Sequence, residues 1–138
     1  MAEMNSRRNS FPFLNKYSSI SDILGDHELA SLGDAFVNLI YSLALSKAAG
    51  RPVGRKLDSR VLSSALRKAG LRSLLPHRMD RHKLADAAEA LIVYGWLSGV
   101  ISLEEALNMV SREGDLSDNI CSLLKLVWER VGLALRGY

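Results

Sequence analysis

The chain has few of the residues that would place it in several common classes of protein. It holds one cysteine, Cys121, among 138 residues, so it can form no internal disulfide and offers no cysteine pair to a metal. We expect Cys121 to be a small buried residue in a reducing compartment. No stretch reaches the roughly 20 uncharged apolar residues that a bilayer span needs, and the N-terminal residues lack the apolar core of a signal peptide. These absences predict a soluble, cytoplasmic protein without a membrane partner.

Strand patterning is also missing from the sequence. No alternation of polar and apolar residues lasts more than a few positions, whereas segments with helical period or wholly apolar character follow one another. A chain with 48% hydrophobic residues and this length is sized for one core. We therefore predict an all-α fold, with residues 1–17 as a mobile lead-in and residues 18–138 as a single domain.

Capping residues and glycines set the predicted helix ends. Asp26 can cap one helix and Asp58 or Ser59 another, the sequence SLEE from Ser102 is a capping box, and Gly50 can close the longest helix. The expected helices run over about 19–24, 27–48, 59–69, 81–98, 102–114 and 117–136.

Positive charge is concentrated in the middle of the chain. Residues 51–83 hold ten lysines and arginines against two acids, a net charge of +8, so that the rest of the chain carries −5 of the total of +3. Such an excess is typical of a surface that contacts phosphates, although a solvated face would give the same pattern.

Two helical segments are apolar nearly all round and yet carry acids. Asp34 is the only charge between residues 29 and 46, and Asp86 and Glu89 lie one turn apart in the second segment. A buried carboxylate without a partner is costly, and neither helix interior holds a lysine or arginine. If the two helices cross, three carboxylates converge with no protein cation nearby, and a divalent metal is the natural counter-charge. The alternative is that each acid lies at a solvated helix end.

Gly33 favours the crossing. A glycine in the middle of a helix costs about 1 kcal/mol relative to alanine, and it is tolerated where another backbone must come close. We therefore expect a second helix to pass beside Gly33 and Asp34.

Two segments carry a resemblance to a known family. Residues 26–36 read DHELASLGDAF, and residues 84–99 read LADAAEALIVYGWLSG. Together and in this order they resemble the two acidic motifs of the ribonuclease III catalytic domain. In that family the motif acids coordinate Mg²⁺, and the resemblance gives this catalytic and metal-binding role to Asp34, Asp86 and Glu89, with Mn²⁺ as an alternative ion.

The resemblance also implies an activity and an assembly. It implies cleavage of double-stranded or structured RNA that leaves 5′-phosphate and 3′-hydroxyl ends, in RNA processing such as rRNA maturation. It further implies a single ribonuclease III-like helical domain that forms a C2 homodimer, with two sites acting on opposite strands.

One position departs from the family pattern. The family has an acid four residues before the motif aspartate, where this chain has Ala30. Glu28 cannot replace it, because six residues before Asp34 is about 240° around a helix. His27 lies on the correct face but is a poor ligand for Mg²⁺. The Mini-ribonuclease III subclass also has alanine here and lacks a double-stranded-RNA-binding domain, so LASLGDA at residues 29–35 is similar to that short form.

The basic segment would supply affinity for RNA. On the helix expected over residues 59–69, apolar residues form one stripe and basic residues form another. Contacts from such a face to phosphates and 2′-hydroxyls read the shape of a duplex rather than its sequence. The predicted RNA-binding residues are Arg55, Lys56, Arg60, Ser64, Arg67 and Lys68.

Two other interpretations compete with a nuclease. The first is a non-catalytic ribonuclease III-like domain that acts as an RNA-binding or ribosome-associated scaffold, which Ala30 favours and the retained acids oppose. The second is a plain helical nucleic-acid-binding module whose acids are incidental.

Overall fold

The computed structural model describes Arg7 and residues 10–136. Every regular element in this described part is helical, which confirms the all-α prediction. Short 3₁₀ turns at Pro12–Lys16 and Arg72–Leu74 were not expected from the sequence. The α-helices are α1 (Ile20–Leu24), α2 (His27–Ala49), α3 (Ser59–Lys68), α4 (Arg81–Leu97), α5 (Leu103–Val110) and α6 (Leu116–Arg136).

The predicted caps define the helix ends. The Asp26 carboxylate accepts hydrogen bonds from the backbone N–H groups of the first turn of α2, and Asp58 does the same for α3. Gly50 ends α2 in the left-handed conformation, with a φ of 69° that favours glycine. Ser102 and Glu105 form the expected capping box at α5. Local side-chain chemistry therefore fixes where the long helices start and stop.

Helix α4 is the centre of the fold. Twelve of its 17 residues are buried, because α1, α2, α3 and α6 all pack against it. This explains why its sequence is apolar all round, as a helix surrounded by others requires. Its most extensive contact is with α2, and the acids predicted from the sequence lie on these two helices.

Helix α2 is less enclosed than its sequence suggests. It packs on α4 and α5, but Leu32 is 44% exposed and Leu39 is 51% exposed. A helix that is apolar nearly all round is usually covered on several sides, but this face of α2 is not covered within the described residues. Helix α2 has 23 residues and contains an 18-residue window with a mean hydropathy of 1.4, so it is long and apolar enough to cross a membrane, a test that core helices of folded domains also pass.

The lead-in expected over residues 1–17 is only partly described. Residues 1–6 and 8–9 lie outside the described residues. At its C-terminal end, Leu14 and Tyr17 are buried, and the Tyr17 hydroxyl donates to Asp26 Oδ2 over 2.6 Å. The packed part of the chain therefore begins before residue 18.

Candidate active site

The site is built on a close crossing of α2 over α4 at Gly33. A Cβ atom at Gly33 would lie 2.2 Å from the carbonyl oxygen of Glu89 and 2.5 Å from its carbonyl carbon, distances that real Cβ atoms do not show. Only glycine permits this approach, which confirms the expectation that a second backbone passes here. Because Asp34 follows Gly33 directly, its side chain emerges beside Glu89.

The acids line one cleft. The cleft has a volume of about 600 Å³, and Asp34, Asp86 and Glu89 all face it. Part of its lining comes from the N-terminal turns of α2, at His27, Ala30 and Ser31. Ala30 therefore puts a methyl group on the wall where the family has a further acid, and His27 lies on the face of the helix that its spacing indicates.

Glu89 and Asp34 form the inner part of the cleft. Glu89 is only 5% exposed, and burial raises the pKa of its carboxyl to about 8, with further contributions from a hydrogen bond to Asp34 and from the charges of Asp34 and Asp86. Two carboxyl groups can share a hydrogen bond only when one of them is protonated. With a pKa of about 8, the Glu89 carboxyl therefore holds a proton at neutral pH when no cation is bound.

Asp86 lies at the mouth of the cleft. Its side chain is 42% exposed, and its Oδ2 is 3.8 Å from Nδ1 of His27. Burial raises the pKa of the Asp86 carboxyl, an effect that His27 opposes and the charge of Asp34 reinforces. Asp86 is therefore more accessible to solvent and to a substrate than Glu89.

Lys56 also reaches this cleft. It is among the lining residues, and its charge lowers the pKa of Glu89 against the larger effect of burial. The expectation that no protein cation lies near the acids is therefore wrong. The physical reason is that residues 51–58 fold back along α2, a contact between segments that helical spacing alone does not reveal.

The donor chemistry of the cleft suits a hard divalent cation. Among the described residues, no three histidine, cysteine, aspartate or glutamate side chains are arranged to hold one metal ion. Mg²⁺, however, is usually held by one or two carboxylates together with water and substrate phosphates. Asp34 and Glu89 supply two adjacent carboxyl groups whose mutual repulsion a cation would relieve, so these residues fit Mg²⁺.

The predicted RNA-binding residues differ in exposure and in their hydrogen-bond partners. Arg60 and Arg67 are exposed on α3, Ser64 is half-buried there, and Arg55 is exposed on the preceding segment. The Arg55 guanidinium donates to the carbonyl of Gly54 over 3.0 Å.

Lys68 has a different environment from its neighbours on α3. Its ammonium group donates to Ser117 Oγ over 2.6 Å and to Asp118 Oδ1 over 2.8 Å, and it lies 3.4 Å from Asp115 Oδ2. Lys68 thus joins α3 to the start of α6, and it is not among the residues that line the acid cleft.

Asn38 is a site residue that the sequence reasoning missed. Its side-chain Nδ2 donates to Asp34 Oδ1 over 3.2 Å, and its Oδ1 accepts from the backbone N–H of Leu57 over 2.8 Å. The available signal was its position four residues after Asp34, which places both side chains on one face of α2.

Comparison with known proteins agrees with this geometry. A family model described as ribonuclease III matches residues 27–136, which include both acidic helices and most of the chain. No curated protein matches the chain. The chain therefore belongs to the ribonuclease III family.

Proposed function

We propose that this protein is a Mg²⁺-dependent endoribonuclease that cleaves double-stranded RNA and leaves 5′-phosphate and 3′-hydroxyl ends. The observation that carries the proposal is that Asp34 and Glu89 line one cleft beside a helix crossing that only Gly33 allows. A helical domain that only bound RNA would gain nothing from such a pair, because burying acids together is unfavourable.

The residues of the cleft would have different roles. Asp34 and Glu89 would hold the ion, and Asp86, nearer the mouth, would bind a water molecule or contact the ion directly. An ion held there would lower the pKa of a bound water and would offset charge on the phosphodiester. Lys56 adds a cation at the cleft that can pair with a phosphate oxygen and orient the strand.

Affinity for RNA comes from exposed basic residues on α3 and on the segment before it. Arg55, Arg60 and Arg67 are exposed and can contact phosphates of the RNA. Contacts of this kind depend on duplex shape, so the substrate class is double-stranded or structured RNA, in cytoplasmic RNA processing such as rRNA maturation. Lys68 is outside this set because it is bound to α6.

The exposed face of α2 supports a homodimer. Leu32 and Leu39 are seven residues apart, so they lie on one side of the helix, and both are about half exposed. A second copy related by a two-fold axis would cover this stripe and set two acid clefts against the two strands of one duplex. Light scattering should give a dimer for the wild type and a monomer for Leu39→Glu.

The proposal is tested by incubating the pure protein with an end-labelled RNA duplex in Mg²⁺ or in EDTA. We expect cleavage in Mg²⁺ alone, loss of cleavage in Glu89→Ala, and no effect of Glu129→Ala, a matched change of an exposed glutamate on α6. Binding of the duplex without cleavage would contradict the proposal. That result would favour the scaffold function instead, which is supported by Ala30, the alanine at a position where the family pattern has an acid.

A further inference from the structure

A polar stripe on α2 holds the segment that leads into α3. Asn38, Ser42 and Ser46 are spaced by four residues and therefore lie on one face of the helix. Each of them bonds to the backbone of the segment at residues 53–57, which has no regular secondary structure. Ser46 Oγ accepts from the Val53 N–H over 2.8 Å, and its one hydroxyl proton is shared between the carbonyl oxygens of Ser42, over 2.8 Å, and Val53, over 3.1 Å. Ser42 Oγ accepts from the Arg55 N–H over 2.9 Å and donates to the Arg55 carbonyl oxygen over 3.0 Å.

The spacing of these contacts matches the geometry of a helix beside an extended chain. Four residues of a helix rise about 6 Å, and two residues of an extended chain span about 6.6 Å, so every fourth helical residue meets every second residue of the segment. The two run in opposite directions, because Ser46 meets Val53 and Asn38 meets Leu57. The side chains of α2 thus satisfy backbone groups that a neighbouring strand would otherwise bind.

Asn38 is the member of the stripe that also touches the acid site. It accepts from Leu57 N–H through Oδ1 and donates to Asp34 through Nδ2. Only an amide offers an acceptor and a donor at this length, since aspartate has no donor when ionised and alanine has neither group. The residue between Arg55 and Leu57 is Lys56, which faces the cleft.

We propose that Asn38 is a positioning residue that sets the Asp34 carboxylate and the Lys56 cation relative to each other. With Ser42 and Ser46 it docks residues 53–57 on α2, and through its second hydrogen bond it fixes the orientation of Asp34. A phosphate in the cleft would then meet the carboxylate and the ammonium group in one defined arrangement. This role in catalysis rests on the proposed nuclease function, whereas the docking itself does not.

The docking is tested by amide hydrogen exchange. In Asn38→Ala we expect the Leu57 amide to exchange roughly fivefold faster, because it loses one hydrogen bond. In Asn38→Asp we expect near-wild-type exchange at Leu57, because the acceptor remains. Asn108→Ala, which changes an exposed asparagine of α5, is the control and should leave Leu57 unchanged. Unchanged exchange in Asn38→Ala would overturn the proposal.

The effect on the acid site is tested by kinetics on duplex RNA in Mg²⁺. Asn38→Asp should lower kcat by roughly tenfold or more with KM within about twofold, because Asp34 loses its donor and moves while the RNA-binding face is unaltered. A wild-type kcat in Asn38→Asp would contradict the positioning role, and so would an equal loss through KM. If the wild type does not cleave RNA, the proposed function fails, and the exchange experiment still decides whether Asn38 docks the segment.

Discussion

Replacing Gly33 by alanine tests the helix crossing on which the acid site depends. An alanine Cβ would lie 2.2 Å from the Glu89 carbonyl oxygen, whereas ordinary contact begins at 3.4 Å. The atoms in the way belong to the backbone of α4 and cannot rotate aside, so the two helices must separate by about 1 Å.

The direction of the stability change distinguishes this crossing from an open helix face. On an open face, the higher helix propensity of alanine would stabilise the protein by about 1 kcal/mol. Overpacking typically costs about 1–3 kcal/mol, and a clash with backbone belongs at the upper end. We expect a net loss of about 2 kcal/mol, which for a domain of this size lowers Tm by about 8 °C.

The same substitution should reduce catalysis. Separation of α2 from α4 moves Asp34 away from Glu89, and a misplacement of about 1 Å can cost roughly 10²-fold in rate. Thermal unfolding followed by circular dichroism measures the change in Tm, and single-turnover cleavage measures the change in catalytic rate. Gly54→Ala is the control, because no atom lies within 4 Å of a Cβ there. A higher Tm for Gly33→Ala than for the wild type would refute the crossing.

Three further predictions concern charge. Burial raises the pKa of Glu89 from 4.5 to about 8, so the folded protein holds a proton that the unfolded chain releases, and stability in EDTA should fall as pH rises from 4.5 to 8. Calorimetry of Glu89→Gln should show no such decrease in stability over this pH range. An equal decrease in the variant would mean that another group causes it. Charge reversal at Arg60 and Arg67 should raise KM and flatten its salt dependence, and unaltered binding would remove both from the RNA surface. Lys68→Ala should lower Tm with KM unchanged, because Lys68 binds Asp118; a raised KM would return it to that surface.

The helix ends could be predicted from the sequence because capping is local. Asp26, Asp58 and Gly50 act on backbone groups within a few residues of themselves, so their spacing is enough to place each boundary. The crossing could also be predicted, since Gly33 is a costly residue in a helix unless a neighbour comes close.

The remaining features depend on contacts between distant segments. Lys68 has the spacing of an RNA-facing residue, but Asp118 lies 50 positions later and binds it. Lys56 reaches the acids because residues 53–57 dock on α2. Asparagine and serine on a helix face do not by themselves predict that another segment binds there. The exposure of Leu39 could not be predicted either. An apolar residue in a helix is expected to be buried, and the sequence does not show that no described segment covers this one.

Binding of a divalent ion by the acid pair is the central claim, and anomalous diffraction from crystals grown in Mn²⁺ tests it most directly. We expect one peak about 2 Å from carboxylate oxygens of both Asp34 and Glu89. A map without a peak in the cleft, with Asp34 and Glu89 still lining it, would contradict the claim.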